Sequence, residues 1–306
     1  MLDIFNITDN SPFNQVFYTK GTTDWQVWNK PNNAKMVYIL CIGSGSGGGA
    51  GANGTVSTTR RGGGGGASAG YTAGFFSATQ LPDTLYVQVG PGGVGGIGGA
   101  TSSSGGAGAL SYVSIQPNTT ALNILMQSGA AAATAGVNGP SGGTGGTAGT
   151  IWTGSALSDL GLVVAYAGQT GGNGQTNAIP PAIAIGDILS AAPGGAGTNL
   201  SAVFVGGDIT GSGFVPTLPG GASSSASNAG DGSGGFSTLN TLVNTPTRNQ
   251  LIFTGGSSGG SSNSAAGGNG GNGAFGSGGG GGGVGVTGSA GNGGKGGDGL
   301  VIITCF

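Results

Sequence analysis

From Gly267 to Gly297 a glycine recurs at every third position, eleven times without a miss. The same period appears at Gly90, Gly93, Gly96 and Gly99, at Gly136, Gly139, Gly142 and Gly145, and at Gly168, Gly171 and Gly174. A three-residue repeat fits neither the roughly 3.6-residue turn of an α-helix nor the two-residue alternation of a strand. It fits the left-handed extended helix of three residues per turn and about 3.1 Å rise, whose backbone makes no internal hydrogen bonds. Glycine along one edge of such a helix lets a neighbouring backbone approach. The unspent N–H and C=O groups then need partners in that neighbour. The pattern predicts packed polyglycine-II tracts held by bonds between segments, in place of a large side-chain core. Collagen shares the period but needs frequent proline, and no proline falls between Gly267 and Gly297.

Glycine and serine at such levels, without strict phasing, are also the composition of disordered chains. Of the 306 residues 77 are Gly, yet 36% are apolar and only 5% charged. Disordered chains are charged and poor in aliphatic residues, so an ordered protein of one large or two ordinary domains is expected. The net charge is −2, with neither Glu nor His. Arg60–Arg61 is the one basic pair, too little for a phosphate track, which excludes a nucleic-acid partner. No apolar run reaches the roughly 18 residues of a membrane span, so no membrane insertion is expected. The opening MLDIFNITDN lacks the basic and apolar stretches of a secretion signal, which points to synthesis in a cytoplasm.

Apolar runs mark the strands. The clearest are Trp25–Asn29, Met36–Ile42, Tyr71–Ser77, Leu85–Val89 and Leu300–Phe306, with others at Leu110–Ile115, Leu122–Met126 and Leu160–Ala165. Glycine tracts separate them. Sustained helical periodicity is missing. The expected fold is all-β: short antiparallel strands combined with packed polyglycine-II tracts, and little or no α-helix. Residues 1–33 read as an aromatic attachment or oligomerisation segment, and 34–306 as the glycine-rich domain. Within it, about 175–255 is proline-punctuated and reads as irregular loops and short strands. Cys41 and Cys305 sit in apolar runs and read as buried small residues; a disulfide between them would need neighbouring strands and a suitable Cα separation.

Several catalytic patterns occur and fail on inventory. Gly43-Ser-Gly-Ser-Gly-Gly48 follows a strand in the order of a dinucleotide loop, but no helix follows to receive a pyrophosphate. Gly66-Ala-Ser68-Ala-Gly70 has the form of a nucleophile elbow, but no histidine exists to serve as its base. Nine scattered Asp residues give no paired-carboxylate site. Asp231, in Asn-Ala-Gly-Asp-Gly-Ser-Gly, fits an exposed turn better than a calcium loop. No catalytic, cofactor or metal site is expected, and the protein is read as a non-enzyme.

The segment Gly21-Thr-Thr-Asp-Trp25 through Lys30-Pro31, the strand Met36–Ile42 and the glycine burst after it resemble the opening of the glycine-rich domain of bacteriophage tail proteins. Gly62–Tyr71, Leu81-Pro82, the strand Leu85–Val89 and Gly90-Pro-Gly-Gly continue that resemblance. The ending Gly293-Gly-Lys-Gly-Gly-Asp298-Gly-Leu-Val-Ile-Ile is similar to the family's close. It spans about Phe13 to Phe306, apart from 175–255. It implies a virion protein at a fibre or tail tip, similar in logic to the glycine-rich phage adhesins, whose loops touch the host receptor. Such adhesins place variable loops between short glycine motifs, whereas here the longest tract lies beside the last strand.

Under that reading the protein is a tail-fibre or receptor-binding component of a virion. Its partners are other virion proteins, a host surface receptor (a glycan or an outer-membrane protein) and further copies of itself, a trimer being the form that suits a fibre. Candidate receptor contacts are the aromatic residues Tyr71, Phe75, Phe76, Trp152, Tyr166, Phe214 and Phe236, since rings add contact area at low entropic cost. Phe13, Phe17, Trp25 and Trp28 are candidates for assembly. The rival readings are a purely structural virion protein, such as a head fibre, decoration or shaft, and an ice-binding or cell-surface glycine-helix protein.

Overall fold

The computed structural model describes residues 13–54, 59–99, 102–129, 143–199, 202–212, 215–238 and 251–306. Among them the only helical residues are single 3₁₀ turns. The strands are β1 (Phe13–Phe17), β2 (Gln26–Asn29), β3 (Met36–Ile42), β4 (Tyr71–Ser77), β5 (Thr84–Gln88), β6 (Tyr112–Ser114), β7 (Ile124–Gln127), β8 (Gly161–Tyr166), β9 (Ile183–Ala184), β10 (Ile209–Thr210) and β11 (Leu300–Cys305). One antiparallel sheet has the order β1-β11-β3-β4-β8 and a second the order β2-β5-β6-β7; β9 and β10 form a short parallel pair.

The two large sheets pack through alternating side chains. Val37, Ile39 and Cys41 of β3, Phe76 of β4 and Val301, Ile303 and Cys305 of β11 meet Trp28, Leu85, Val87, Val113, Leu125 and Met126 of the second sheet, and all are buried. A side-chain core therefore exists beside the glycine tracts, where the period of three alone predicts none. Residues 13–29 are woven into both sheets through β1 and β2.

Each central strand runs straight into a glycine tract, and strands that were neighbours remain neighbours. The β3–β4 pairing continues as N–H donation from Gly43, Ser46, Gly49 and Ala52 to the carbonyls of Gly70, Ala67, Gly64 and Arg61. The β3–β11 pairing continues from Gly45, Gly48 and Gly51 to Gly297, Gly294 and Gly291. The step between successive bonds is now three residues, and a third direction has opened. Ser44, Gly47 and Ala50 donate to Ala109, Gly106 and Ser103, in a segment leading to the opposite sheet. Sheets that carry side chains pack about 10 Å apart. Where the inward residues shrink to Gly, Ala and Ser, the two layers close until their backbones bond directly.

The long period-three segment is three antiparallel legs, 266–274, 277–286 and 288–299. Gly276, with φ +68°, reverses the chain between the first two; this left-handed conformation is one that glycine adopts without strain. The middle leg has six neighbours. Gly278, Gly281 and Val284 donate to Ser190, Pro193 and Ala196; Gly279 and Gly282 to Ser46 and Gly49; Gly280 and Gly283 to Gly271 and Gly268, at 2.8–3.3 Å. Its carbonyls accept along three further directions from 256–262, from Gly63 and Gly66, and from 291–297. That is the bonding expected of a three-residue turn in a close-packed array, because such a helix satisfies none of its own groups.

Glycine is required here for the missing Cβ more than for its dihedral freedom. Only Gly21, Gly154 and Gly276 have positive φ among the described residues. A Cβ built at Gly45 would collide with the carbonyl of Ser277, one at Gly282 with that of Gly291, and one at Gly283 with that of Gly260. Serine enters the interior where its hydroxyl takes over an N–H. Ser46 Oγ accepts from Ala67, Ser190 Oγ from Gly255, and Ser258 Oγ from Gly207, at 2.6–2.9 Å.

The segment expected to be irregular contributes tracts of its own. Residues 190–198 are buried between 60–66 and 278–284, and 229–235 bonds along 266–272. The two cysteines are free and buried. Cys41 lies opposite Val301 and Cys305 opposite Val37, an offset of about 13 Å along the strands at about 3.3 Å per residue, which excludes a disulfide.

Gly282→Ala is expected to lower stability by at least about 2 kcal/mol, as an overpacked interior site. Gly234→Ala, whose Cβ would meet nothing closer than 4.0 Å, should leave stability unchanged or raise it by about 0.4–1 kcal/mol; urea unfolding of both variants measures the contrast. Burial pushes the Cys41 thiol up to about 12, so a thiol reagent at pH 8 should label neither cysteine until denaturant is added. A thiol held above its ordinary 9.0 stabilises the fold fully below that pH. Its contribution is lost as the pH climbs toward about 12.

Candidate functional site

The structure scatters the eleven aromatic candidates. Phe17, Trp28 and Phe76 are buried in the core between the sheets, which removes them from any surface contact. Trp152 packs half-buried against that core, Trp25 lies 6.4 Å from Tyr112, and Phe236 is half-buried with its N–H held by Thr254 Oγ1. Phe13 is exposed at the end of β1. Phe214 lies outside the described residues.

Three candidates do come together. Tyr71, Phe75 and Tyr166 all lie on the face of the five-stranded sheet that points away from the core, because β4 and β8 pair with Tyr71 opposite Tyr166 and Phe75 opposite Leu162. The rings of Tyr71 and Tyr166 stack at 4.7 Å, and Phe75 sits 5.9 Å from both Tyr38 and Phe306. Part of this face is covered by Leu189, Phe253 and Phe275. A shallow cleft of about 240 Å³ opens beside the tyrosine stack, lined also by Gln169, Asp187 and Leu189. Burial, reinforced by the nearby Tyr166, Asp187 and Tyr38, pushes the Tyr71 hydroxyl up to about 12, so it stays protonated and able to donate.

A second surface lies along the rim of the glycine array, and no aromatic signal marks it. Tracts 228–235, 266–273, 288–299 and 90–99 lie side by side as a single layer, joined by backbone bonds every third residue. An outward residue in such a layer has no further tract to receive its N–H. Side-chain oxygens of Asn and Asp fill that place. Asn269 N–H donates to Asp231 Oδ1 at 2.7 Å, Asn292 N–H to Asn269 Oδ1 at 2.8 Å and Gly98 N–H to Asn292 Oδ1 at 2.7 Å. One turn on, Lys295 N–H donates to Asn272 Oδ1 at 2.8 Å, and one turn further Gly92 N–H donates to Asp298 Oδ1 at 2.7 Å. Lys295 Nζ also pairs with Asp298 at 2.8 Å.

Asn269, Asn272 and Asn292 are exposed, and each is held by its amide oxygen, which leaves the NH₂ group out of these bonds. The rows repeat about every 9 Å, three steps of about 3.1 Å. Clefts of about 580 Å³ and 380 Å³ run between them, the first lined by Asn228, Asp231, Asn269 and Asn292, the second by Asn272, Lys295 and Asp298. The signal was present in the sequence as Asn269, Asn272 and Asn292 standing between glycine pairs, in a phase different from the glycine count.

The discarded catalytic patterns are interior features. Ser68 is fully buried and its Oγ accepts from Gln169 N–H at 2.7 Å; Gly43–Gly48 lies wholly inside the array. Asp231 serves the rim, and among the described residues no three His, Cys, Asp or Glu side chains gather as metal ligands. No helix among them is long and apolar enough to cross a membrane.

A protein-family profile described as a glycine-rich domain matches residues 19–306, from ahead of β2 to the end of β11. The chain belongs to that family. No curated protein matches it.

Replacing Asn269 with Ala should cost about 0.5–1.5 kcal/mol, one hydrogen bond at an exposed site. Amide exchange should quicken at Asn292 alone. Asn272→Ala should do the same at Lys295. The paired exchange measurement tests whether the rim is fastened residue by residue.

Proposed function

We propose that the protein is a non-enzymatic component of a bacteriophage virion, a tail-fibre or receptor-binding protein that contacts the host cell surface. The observation that carries this reading is the rim: amide groups held in fixed rows on a scaffold cross-linked by its own backbone. Rigid presentation of many polar groups lowers the entropic cost of binding an extended ligand. The clefts between the rows suit a glycan or a polar loop of an outer-membrane protein, both of which offer several hydrogen-bond acceptors. The resemblance of the opening and closing segments to phage tail glycine-rich domains supplies the virion context.

The test separates fold from contact. Asn269→Asp, Asn272→Asp and Asn292→Asp together keep every Oδ acceptor that fastens the rim and remove the outward donors. Fluorescently labelled protein is expected to bind one bacterial host saturably. The triple variant should lose at least tenfold in affinity at moderate salt, with its melting temperature unchanged. Binding that survives the triple variant would place the receptor contact elsewhere, and failure of the folded wild-type chain to bind any host would favour a purely structural virion protein.

A further inference from the structure

The five-stranded sheet ends on one side at β8, and among the described residues nothing pairs with the far edge of that strand. Bare edges invite another strand, and proteins commonly guard them with lysine, proline, bulges or brevity. β8 has none of these guards. Its sequence, Gly-Leu-Val-Val-Ala-Tyr, carries no charge, and it is paired to β4 at six successive positions without a bulge. The other edges differ. β7 meets its partner through a register shift at Val113/Ser114, β2 is four residues long, and β1 carries Asn14 and Gln15.

The side chains of β8 on the outer face are also bare: Leu162 is 75% exposed, Val164 44% and Tyr166 43%. They continue an apolar strip through Phe75, Met36 and Phe306. Monomers seldom leave such a strip uncovered.

We propose that β8 is the seam of a homodimer, lying antiparallel to β8 of a second copy about a two-fold axis at Val164. The alternation of side chains excludes a slip by one residue, which would turn the apolar set of one copy to the opposite face. An axis at Val164 is the one that sets all three outward side chains, Leu162, Val164 and Tyr166, against partners from the same set. Val164 then faces Val164 of the second copy, and Leu162 faces Tyr166 of the second copy. These aliphatic and aromatic–aliphatic pairs favour antiparallel pairing, and no like charges oppose. A charged partner strand gains nothing from this edge, and β1 of a second copy would set Asn14 and Gln15 against it. The same patch serves both copies, as a two-fold interface demands.

The edge and its three outward side chains bury roughly 500 Å² per copy, at the low end of specific interfaces. A dimer held by so small an interface should depend on concentration. The two sheets become one of twice the width, with the apolar strip continuous across the seam. Tyr166 thereby moves from receptor contact to assembly, with Phe75 in the strip beside it and Tyr71 buried behind it, while the glycine array and its rim remain free. This inference does not depend on what the rim binds.

Cysteine cross-linking tests it. Facing residues of an antiparallel pair lie about 4.5–5.5 Å apart at Cα, inside the disulfide range. The native cysteines are buried and silent. Oxidised Val164→Cys should run at twice the chain mass on a non-reducing gel. Leu162→Cys and Tyr166→Cys should cross-link when mixed and far less when kept apart. In light scattering from about 1 to 100 µM the wild-type mass should double, and Leu162→Arg, at an exposed site that the fold does not need, should stay monomeric. A wild-type chain that remains monomeric, a mass of three chains, or a Val164→Cys yield no greater than that of Val94→Cys on the glycine array would overturn the proposal.

Discussion

Everything in this molecule depends on one contact: a backbone N–H meeting a backbone C=O of another segment with no Cβ between them. A strand directs its N–H groups to two sides only, which produces a layer. A three-residue turn directs them to three, which produces a solid. Hydrogen bonds normally contribute modestly to stability because water is a good competitor. The array's interior is buried, so each bond that failed to form would leave a desolvated polar group behind. The array is therefore cooperative in a strict sense. A leg such as 277–286 cannot leave without orphaning groups in six neighbours.

That arrangement carries a cost that the rest of the structure offsets. Glycine loses more backbone entropy on ordering than any other residue, and an array of glycine buries little apolar side chain. The two sheets contribute what it lacks. Trp28, Phe76, Ile39, Leu85 and their neighbours bury apolar area in the usual way, and the strands deliver the tracts already aligned with their partners. Serine hydroxyls inside and asparagine amides at the rim close the remaining valences. The molecule has two cores with different physics, joined along continuous chain.

The period of three was legible because chance spaces few glycines so regularly, and the hydrophobic runs at Met36–Ile42, Tyr71–Ser77 and Leu300–Cys305 were legible because β-branched and aromatic residues gather there. β1 was not. Phe-Asn-Gln-Val-Phe has no local signature, and its strand state comes from β11, nearly three hundred residues away. The tracts within 175–255 escaped notice for another reason. Doublets such as Gly194–Gly195 and Gly220–Gly221 are too short to display a period, and Ala and Ser stand in for glycine wherever a neighbour leaves room. The turn at Gly276 was hidden because the repeat runs through it unbroken. As for the candidate surfaces, aromatic residues could be counted from sequence, but which of them the core would claim depended on the pairing of distant strands.

The rim also bears on how such a protein can change. Two residues of each triplet face the array and tolerate almost nothing larger than hydrogen or a methyl group. The third turns its side chain outward, and its N–H is held by a side-chain oxygen, as at Asn269, Asn292 and Ile97. A lineage can therefore rewrite every third letter of the outer tracts and alter what the surface recognises, while the letters between keep the architecture. Recognition and folding occupy separate phases of one reading frame, so selection can act on either without disturbing the other.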